Sequence, residues 1–351
     1  MISVFENPWL GGLFGDEEIA AHWSPEAQLG HMIRFEAAYA RALGACGLAE
    51  AAMAERAAQA IEAAKIDIDD LARGTARDGL PVPALVAQLK TAAAEARGAV
   101  HHGATSQDVI DSALACTLRD TGGVLRGRVE TLQGELAALR DRFGDRALMG
   151  RTRMQAALPI TVADRICGWA LPLGDHLDRL DRLLPRAARL QLGGPVGTRG
   201  DLGGQGAAVA RHMAGALDLA SGAQWHARRD GVAEFAGWLS LVSGGLGKMG
   251  QDICLMAQQE PREIALSGGG GSSAMAHKQN PVLAELLVTL ARFNATQVSA
   301  MHQALVHEQE RSGAAWQLEW MVLPQMTMAT GRALSAAIAL CGRIEEIGAP
   351  V

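Results

Sequence analysis

Five stretches of the sequence carry apolar residues spaced alternately four and three positions apart. They run from Ile110 to Leu139, from Ile166 to Leu184, from Phe235 to Met256, from Leu283 to Leu305, and from Trp316 to Ile344. This spacing puts apolar side chains along one side of a helix, and long helices bury such stripes by packing nearly parallel. The alternating pattern of a β-strand is missing, so the sequence predicts an all-α fold built on a bundle of long helices.

The first hundred residues predict shorter helices. Ser24 and Pro25 have the form of an N-cap followed by proline at the first helical position. The Ala-rich residues 50–64 predict a second helix, residues 67–83 predict a loop with at most a short helix, and residues 84–96 predict a third helix. The expected domains are an N-terminal helical domain over residues 1–100 and a central long-helix domain over residues 101–351.

Charge and composition exclude several classes of function. The 351-residue chain has a net charge of −6 and a pI of about 5.9, which argues against binding nucleic acid. An anionic substrate would therefore need a local cationic pocket. The sequence contains no run of 18 apolar residues and no signal peptide, and its five cysteines have no CxxC spacing. These features predict a cytoplasmic protein that is not embedded in a membrane and has reduced cysteines.

The segment 268–281 reads Gly-Gly-Gly-Gly-Ser-Ser-Ala-Met-Ala-His-Lys-Gln-Asn-Pro. Its glycines allow backbone freedom, and Ser272, Lys278 and Asn280 supply a hydroxyl, a cation and an amide. A Gly/Ser linker would not continue into an ordered series of polar residues between two long helical patterns. A phosphate loop would need glycine directly before the lysine. The segment is therefore a candidate active-site lid.

This loop resembles the signature loop of the fumarase/aspartase superfamily, with Ala276 in place of the usual proline. Thr105 and Ser106, within Gly-Ala-Thr-Ser-Gln-Asp, resemble the first motif of that superfamily. Gly-Arg-Thr-x-x-Gln at residues 150–155 resembles the second. Taken alone, Thr-Ser-x-Asp is more often a cap for the following helix. The resemblance implies a homotetramer in which the three motifs come from different subunits and meet at one site.

Within the superfamily, residues 101–111 and 307–320 are similar to the 3-carboxy-cis,cis-muconate cycloisomerases of protocatechuate catabolism. Adenylosuccinate lyases share the His-Glu-x-Glu-Arg core but usually continue with phosphate-binding residues, where this chain has Trp316 and Trp320. These two rings suit a pocket without a phosphate. Arg153 replaces a histidine found in many superfamily lyases, which suits a substrate with three carboxylates. The sequence also ends soon after the fifth helix, so most of the C-terminal domain usual in the superfamily is expected to be absent.

The resemblance implies a cycloisomerase that needs no cofactor or metal and acts on a small tricarboxylate. Ser272 is expected to exchange the substrate proton, although a serine must be activated to do so. His102 is the second candidate catalytic residue; His101 and His102 could both be acid/base groups, or one of them could cap a helix or belong to a satisfied hydrogen-bond network. His307 does not begin a zinc motif, because H-E-x-x-H requires histidine where this chain has an arginine. The predicted substrate-binding residues are Thr105, Ser106, Arg151, Thr152, Arg153, Gln155, Lys278, Asn280, His307 and Arg311.

Some interpretations stay open at this point. Each of Arg151, Arg153 and Arg311 could instead serve an ion pair of the bundle. Residues 227–234 are interpreted as a solvated helix start rather than a binding face. The alternative functions are a fumarate-releasing lyase such as adenylosuccinate lyase, and a helical scaffold protein without catalysis. The presence of Ser272, Lys278 and Asn280 together argues against the scaffold.

Overall fold

Helices dominate the computed structural model, which describes residues 3–260, 262–271, 275 and 278–348. The all-α prediction is confirmed. The helices are α1 (Gly11–Phe14), α2 (Glu17–His22), α3 (Pro25–Ala45), α4 (Ala51–Ala63), α5 (Ile68–Asp78), α6 (Val82–Ala93), α7 (Ser106–Phe143), α8 (Val162–Ala187), α9 (Gly206–Leu217), α10 (Asp230–Met256), α11 (Val282–Gln303) and α12 (Ala314–Cys341). The strands are β1 (Ala147–Thr152), β2 (Gln155–Thr161), β3 (Ile264–Leu266), β4 (Gly270–Gly271), β5 (Gln279–Asn280) and β6 (Ile344–Ile347).

Five long helices, α7, α8, α10, α11 and α12, form the bundle that the apolar spacing predicts. The longest, α7, has 38 residues, which corresponds to about 56 Å at 1.5 Å per residue. Helix α8 begins beside the end of α7, where the Val162 N–H donates to the Arg146 carbonyl at 2.9 Å. The chain then returns to the start of α7, where the Ser112 hydroxyl donates to the Gln191 carbonyl at 2.9 Å. Successive long helices therefore alternate in direction.

This alternation gives the bundle two ends. The near end, where α7 begins, comprises residues 101–112, 189–194, 225–229 and 307–319. The far end, where α7 finishes, comprises residues 143–161, 257–260, 262–271, 278–281 and 341–348. Contacts between distant parts of the sequence hold each end together, such as Gly193 N–H to Asp108 at the near end and Gly348 N–H to the Glu263 carbonyl at the far end.

The centre of the bundle packs closely because α10 carries glycines where it meets α11. A Cβ added to Gly247 would lie 2.4 Å from the Cβ of Ala291, so only glycine permits this approach. The buried Asn294 amide of α11 donates to Ser243 Oγ of α10 at 3.1 Å and to Thr330 Oγ1 of α12 at 2.8 Å. These hydrogen bonds satisfy polar groups inside an otherwise apolar core and tie three helices together. No helix in the described part of the chain has the length and apolarity to cross a membrane.

The second motif lies on a β-hairpin that the sequence analysis did not predict. Strands β1 and β2 pair antiparallel, with Thr152 opposite Gln155. Arg153 and Met154 form the turn with φ values of 49° and 68°, the left-handed geometry of a two-residue hairpin turn. Nearly every residue of β2 is exposed. The alternation of buried and exposed residues that signals a strand is therefore missing from this stretch.

Two short helices also differ from prediction. Residues 67–83 are not mainly loop, because α5 occupies eleven of them. The Asp67 side chain accepts a hydrogen bond from the Asp70 N–H, and Gly79 ends the helix with a left-handed φ of 76°. Helix α9 begins at Gly206, in a region between the second and third apolar stripes for which no helix was predicted from the sequence. The division into two domains at residue 100 stays a prediction.

Candidate active site

The first motif begins α7 and is anchored by a buried aspartate. The Thr105 N–H donates to Asp108 Oδ2 at 3.0 Å, so the helix-cap interpretation of this motif is confirmed. Asp108 is entirely buried and also accepts hydrogen bonds from the Gly193 and Gly194 N–H groups at 2.7 and 2.9 Å. Its Oδ1 lies 2.9 Å from His226 Nε2. Asp108 therefore fixes the start of α7 to two loops that follow α8.

One helical turn further along α7, a buried cation lies between two buried carboxylates. Arg229 Nη1 donates to Asp111 Oδ2 at 2.6 Å, and Arg229 Nε donates to Glu319 Oε1 at 2.9 Å. The indole N–H of Trp316 donates to Asp111 Oδ1 at 3.0 Å. Burial raises the pKa of Glu319, and the nearby charge of Asp111 adds to that effect while Arg229 opposes it.

Two interpretations made from the sequence need correction at this point. Residues 227–234 do lead into the start of α10 with Asp230 and Glu234 exposed, but Arg229 is buried by its pairing with carboxylates far away in the sequence. Trp316 does not line an open pocket, because its ring is buried and its N–H is committed to Asp111. Trp320 is half-buried and packs edge-on against Trp316 with ring centroids 4.9 Å apart.

Gln107 connects this buried network to a surface arginine. Its amide nitrogen donates to Asp111 Oδ2 at 3.0 Å and to the His226 carbonyl at 2.9 Å. Its amide oxygen accepts a hydrogen bond from Arg311 Nε at 3.0 Å. Arg311 is exposed, and it has no carboxylate partner among the described residues. The guanidinium is thus held in place while its charge remains available to an anion.

Besides His226, three histidines lie at the same end. His307 is half-buried, and neither ring nitrogen has a hydrogen-bond partner among the described residues. Burial lowers the pKa of His307, and the charge of Arg229 lowers it further. His102 is exposed, and its carbonyl accepts a hydrogen bond from the Tyr39 hydroxyl at 2.6 Å. His101 Nδ1 lies 2.5 Å from the buried carboxylate of Glu36.

The remaining predicted site residues lie at the far end. Arg151 Nη2 donates to Glu263 Oε1 at 2.6 Å, so this arginine does form an ion pair within the bundle. The other hairpin residues, Thr152, Arg153 and Gln155, are exposed. Lys278 is exposed, and Asn280 pairs with Gly270 in the small β4–β5 sheet. Ser272 lies outside the described residues.

The structure therefore brings the predicted residues together in two groups rather than one. Since the ends of α7 are about 56 Å apart, the two groups cannot touch the same small molecule within one chain. The buried residues that support the near-end group were not singled out from the sequence, although all of them except Glu36 lie within segments noted there. These residues are Glu36, Gln107, Asp108, Asp111, Arg229 and Glu319. The described residues contain no group of three or more His, Cys, Asp or Glu side chains placed to hold a metal ion.

The fold and these motif-bearing ends define a class of enzyme. A model of the lyase family matches residues 16–298, and the chain belongs to this family of the fumarase/aspartase superfamily, as its motifs predicted. Among its relatives is the 3-carboxy-cis,cis-muconate cycloisomerase of Pseudomonas aeruginosa, which is 38% identical over 98% of this chain and 77% of its own length.

Solved structures show the same likeness. The 3-carboxy-cis,cis-muconate lactonizing enzyme of Pseudomonas putida superimposes with a TM-score of 0.89 at 34% identity, covering 97% of this chain and 77% of that one. The fumarate lyase of Mesorhizobium sp. BNC1 superimposes with a TM-score of 0.88 at 31% identity, covering 95% of this chain and 76% of that one.

Proposed function

We propose that this protein is a cycloisomerase that interconverts 3-carboxy-cis,cis-muconate and 4-carboxymuconolactone in the breakdown of protocatechuate. The observation that carries the proposal is the 38% identity to a cycloisomerase of that specificity over 98% of the chain. The region matched at this identity is nearly the whole chain, so the similarity is not confined to one part of the bundle.

The reaction needs no redox partner. In the lactonizing direction, one substrate carboxylate oxygen forms a C–O bond to an alkene carbon. The π electron pair moves onto the carbon next to a second carboxylate, which becomes an aci-carboxylate. A proton then forms a new C–H bond at that carbon. The protein must hold a trianion, stabilise the charge that builds on the second carboxylate, and deliver one proton.

The exposed cations at the two ends suit this task. Arg311 at the near end, and Arg153 and Lys278 at the far end, have no ion-pair partner among the described residues, in a chain whose net charge is −6. We assign them to the substrate carboxylates, with Asn280, Thr152 and Gln155 as additional hydrogen-bonding groups. Ser272 is the proposed proton-transferring group.

The separation of the two groups leads to the proposal of a shared site in a homotetramer. One chain cannot bring its near-end and far-end groups together, whereas neighbouring antiparallel copies can bring one chain's near end to another's far end. Exposed apolar side chains on three long helices support such packing. Leu171 of α8 is 69% exposed, Leu241 of α10 is 54% exposed, and Met321 of α12 is 68% exposed.

Incubation with 3-carboxy-cis,cis-muconate tests the reaction. We expect loss of the ultraviolet absorbance of the diene and the appearance of the lactone by NMR, with EDTA causing no change. The similarity to a fumarate lyase supports a second candidate, a fumarate-releasing lyase. Release of fumarate from adenylosuccinate, with the muconate left unchanged, would favour that candidate and contradict the cycloisomerase.

Complementation between two inactive variants tests the shared site. Ser106→Ala damages the near end and Gln155→Ala damages the far end. After the two variants are unfolded and refolded together in equal amounts, about a quarter of the sites should combine two intact ends if the ends come from different chains. Each variant refolded alone should stay inactive. Co-purification of differently tagged subunits shows whether mixed assemblies form. Mixed assemblies without recovered activity would contradict the shared site.

A further inference from the structure

The loop that precedes α7 is held by two residues of α3 that lie one helical turn apart. Glu36 Oε1 lies 2.5 Å from His101 Nδ1, and the Tyr39 hydroxyl donates to the His102 carbonyl at 2.6 Å. Both α3 side chains are entirely buried. His101 has a left-handed φ of 57°, a conformation that costs free energy for any residue except glycine. The contacts from α3 therefore maintain an unfavourable backbone conformation at this histidine.

Glu36 differs from the carboxylate that anchors the start of α7. Both oxygens of Asp108 accept hydrogen bonds from several donors. In contrast, Oε2 of Glu36 is buried without a partner among the described residues, so the ring of His101 is its one hydrogen-bond partner there. A buried carboxylate with one unused oxygen is costly to the fold. An unsatisfied buried oxygen of this kind calls for an explanation, and a role in orienting a functional group would supply one.

The arrangement leaves the other ring nitrogen available. A carboxylate at Nδ1 keeps a proton on that nitrogen and fixes the orientation of the ring. His101 Nε2 makes no hydrogen bond with any described residue, and the side chain is 14% exposed. His101 is also four residues from Thr105 and five from Ser106, which belong to the near-end group. The free nitrogen is therefore available next to the first motif.

We propose that His101 is a catalytic residue that donates a hydrogen bond from Nε2 to a substrate carboxylate, and that Glu36 is the positioning residue that orients its ring. This inference rests on the proposed function, because it assigns His101 to the carboxylate on which charge builds during lactone formation. A cationic donor at that oxygen stabilises the aci-carboxylate more than the substrate, so its contribution appears in kcat.

The charged groups around His101 favour its cationic form. Burial by itself lowers the pKa of His101, but the charge and hydrogen bond of Glu36 on α3 outweigh it, and Asp108 on α7 adds to their effect. Lys90 on α6 opposes them. The net result is a pKa above the ordinary value of 6.5. The ring is thus protonated over more of the neutral range than a solvated histidine.

Titration of the full-length protein without substrate tests the first half of the proposal. Protein labelled with ¹⁵N at histidine is titrated by NMR, and the His101 signals are identified by their loss in His101→Gln. We expect the pKa of His101 to lie above 6.5 in the wild type and to fall in Glu36→Gln, which keeps the shape of the side chain and removes its charge. If Glu36→Gln does not fold, Glu36→Met, which also removes the charge, takes its place. An unchanged pKa in the folded variant would overturn the positioning role.

Kinetics with 3-carboxy-cis,cis-muconate test the second half. Glu36→Gln and His101→Gln should each lower kcat by about 10- to 100-fold with little change in KM, and Glu36→Gln should move the alkaline limb of the kcat–pH profile to lower pH. The exposed His302→Gln is the matched control and should behave as wild type.

A purely structural Glu36 would lower thermal stability but leave the pH profile in place, and that result would overturn the proposal. Lack of turnover by the wild type would instead refute the proposed function, while the titration would still show whether Glu36 controls His101.

Discussion

The two ends of the bundle present their candidate site residues in opposite ways. At the near end, Arg311 rests on Gln107 and on buried charges that are already paired. At the far end, Arg153 and Lys278 lie on an exposed hairpin and an exposed loop. The near-end cation is therefore held by buried groups of its own chain, whereas Arg153 and Lys278 have no ion-pair partner among the described residues. Variants at the near end should affect both stability and catalysis, and variants at the far end should affect catalysis alone.

The largest expected effect is on turnover and concerns the signature loop. Ser272→Ala should lower turnover by about 10²- to 10⁴-fold, because it removes the proposed proton-transferring hydroxyl. The free energy of unfolding should change by less than about 0.5 kcal/mol, because the sequence predicts this loop to be a lid that holds no core together. Steady-state kinetics and urea unfolding measure the two quantities. Ser273→Ala, which removes the neighbouring hydroxyl of the same loop, is the control. A large loss in that variant instead would identify the other serine as the active group.

The largest expected effect on stability is at the near end. Arg229→Met keeps the length of the side chain but leaves Asp111 and Glu319 buried without their cation. We expect a loss of about 3–5 kcal/mol in the free energy of unfolding, measured by urea denaturation. The matched control is Arg186→Met, because Arg186 also forms an ion pair, with Glu234, but both side chains are 45% exposed.

That control should cost at most about 1 kcal/mol, as exposed ion pairs usually contribute. Equal losses in the two variants would show that the buried network does not stabilise the near end more than a surface pair.

Gln107 offers a smaller test, of whether the buried network at the near end positions Arg311. Gln107→Leu removes one of the two hydrogen bonds that hold Arg311, the other being to the Pro195 carbonyl, and kcat/KM should fall about tenfold, equivalent to about 1.4 kcal/mol. Gln317→Leu, a change of the same kind on the exposed side of α12, should have no effect. In an Arg311→Ala background the Gln107 substitution should add little further loss. Full additivity would mean that Gln107 does not act through Arg311.

The same contrast explains what the sequence could predict. The long helices were predictable because their apolar residues recur with the period of a helix, and the cap at Ser24 and Pro25 marked the start of α3. The hairpin was not predictable, because nearly all of β2 is exposed. A strand without a buried face does not show the alternation of apolar and polar residues that predicts a strand. The motifs identified candidate residues at both ends. Their distribution between the two ends depends on helix direction, which no local pattern encodes.

The buried charges were beyond local prediction for a related reason. Arg229 pairs with Asp111 and Glu319, which lie 118 and 90 residues away in the sequence. A charged residue near a helix start usually faces solvent, and only the tertiary partners reverse that expectation here. Glu36 is similar, since its partner His101 is 65 residues away.

The smallest expected effect concerns two near-end histidines whose contributions to stability have opposite pH dependence. Burial and Arg229 lower the pKa of His307, so the folded state disfavours its protonation. Its contribution is fully present above the ordinary pKa of 6.5 and is lost as pH falls through the lowered folded value. Burial alone would lower the pKa of His101, but Glu36 raises it, so its contribution is present below 6.5 and is lost as pH rises through the raised folded value.

Urea unfolding from pH about 5 to about 8.5 separates the two contributions. Relative to the wild type, His307→Asn should lose less stability as pH falls below 6.5, and His101→Asn should lose less as pH rises above 6.5. His302→Asn, at an exposed position on α11, should follow the wild type throughout. Because the two windows lie on opposite sides of the same ordinary value, a general effect of removing a histidine cannot produce both results. Slopes of the same sign in the His101 and His307 variants would contradict the assignment of Glu36 and Arg229 as the charges that control these two rings.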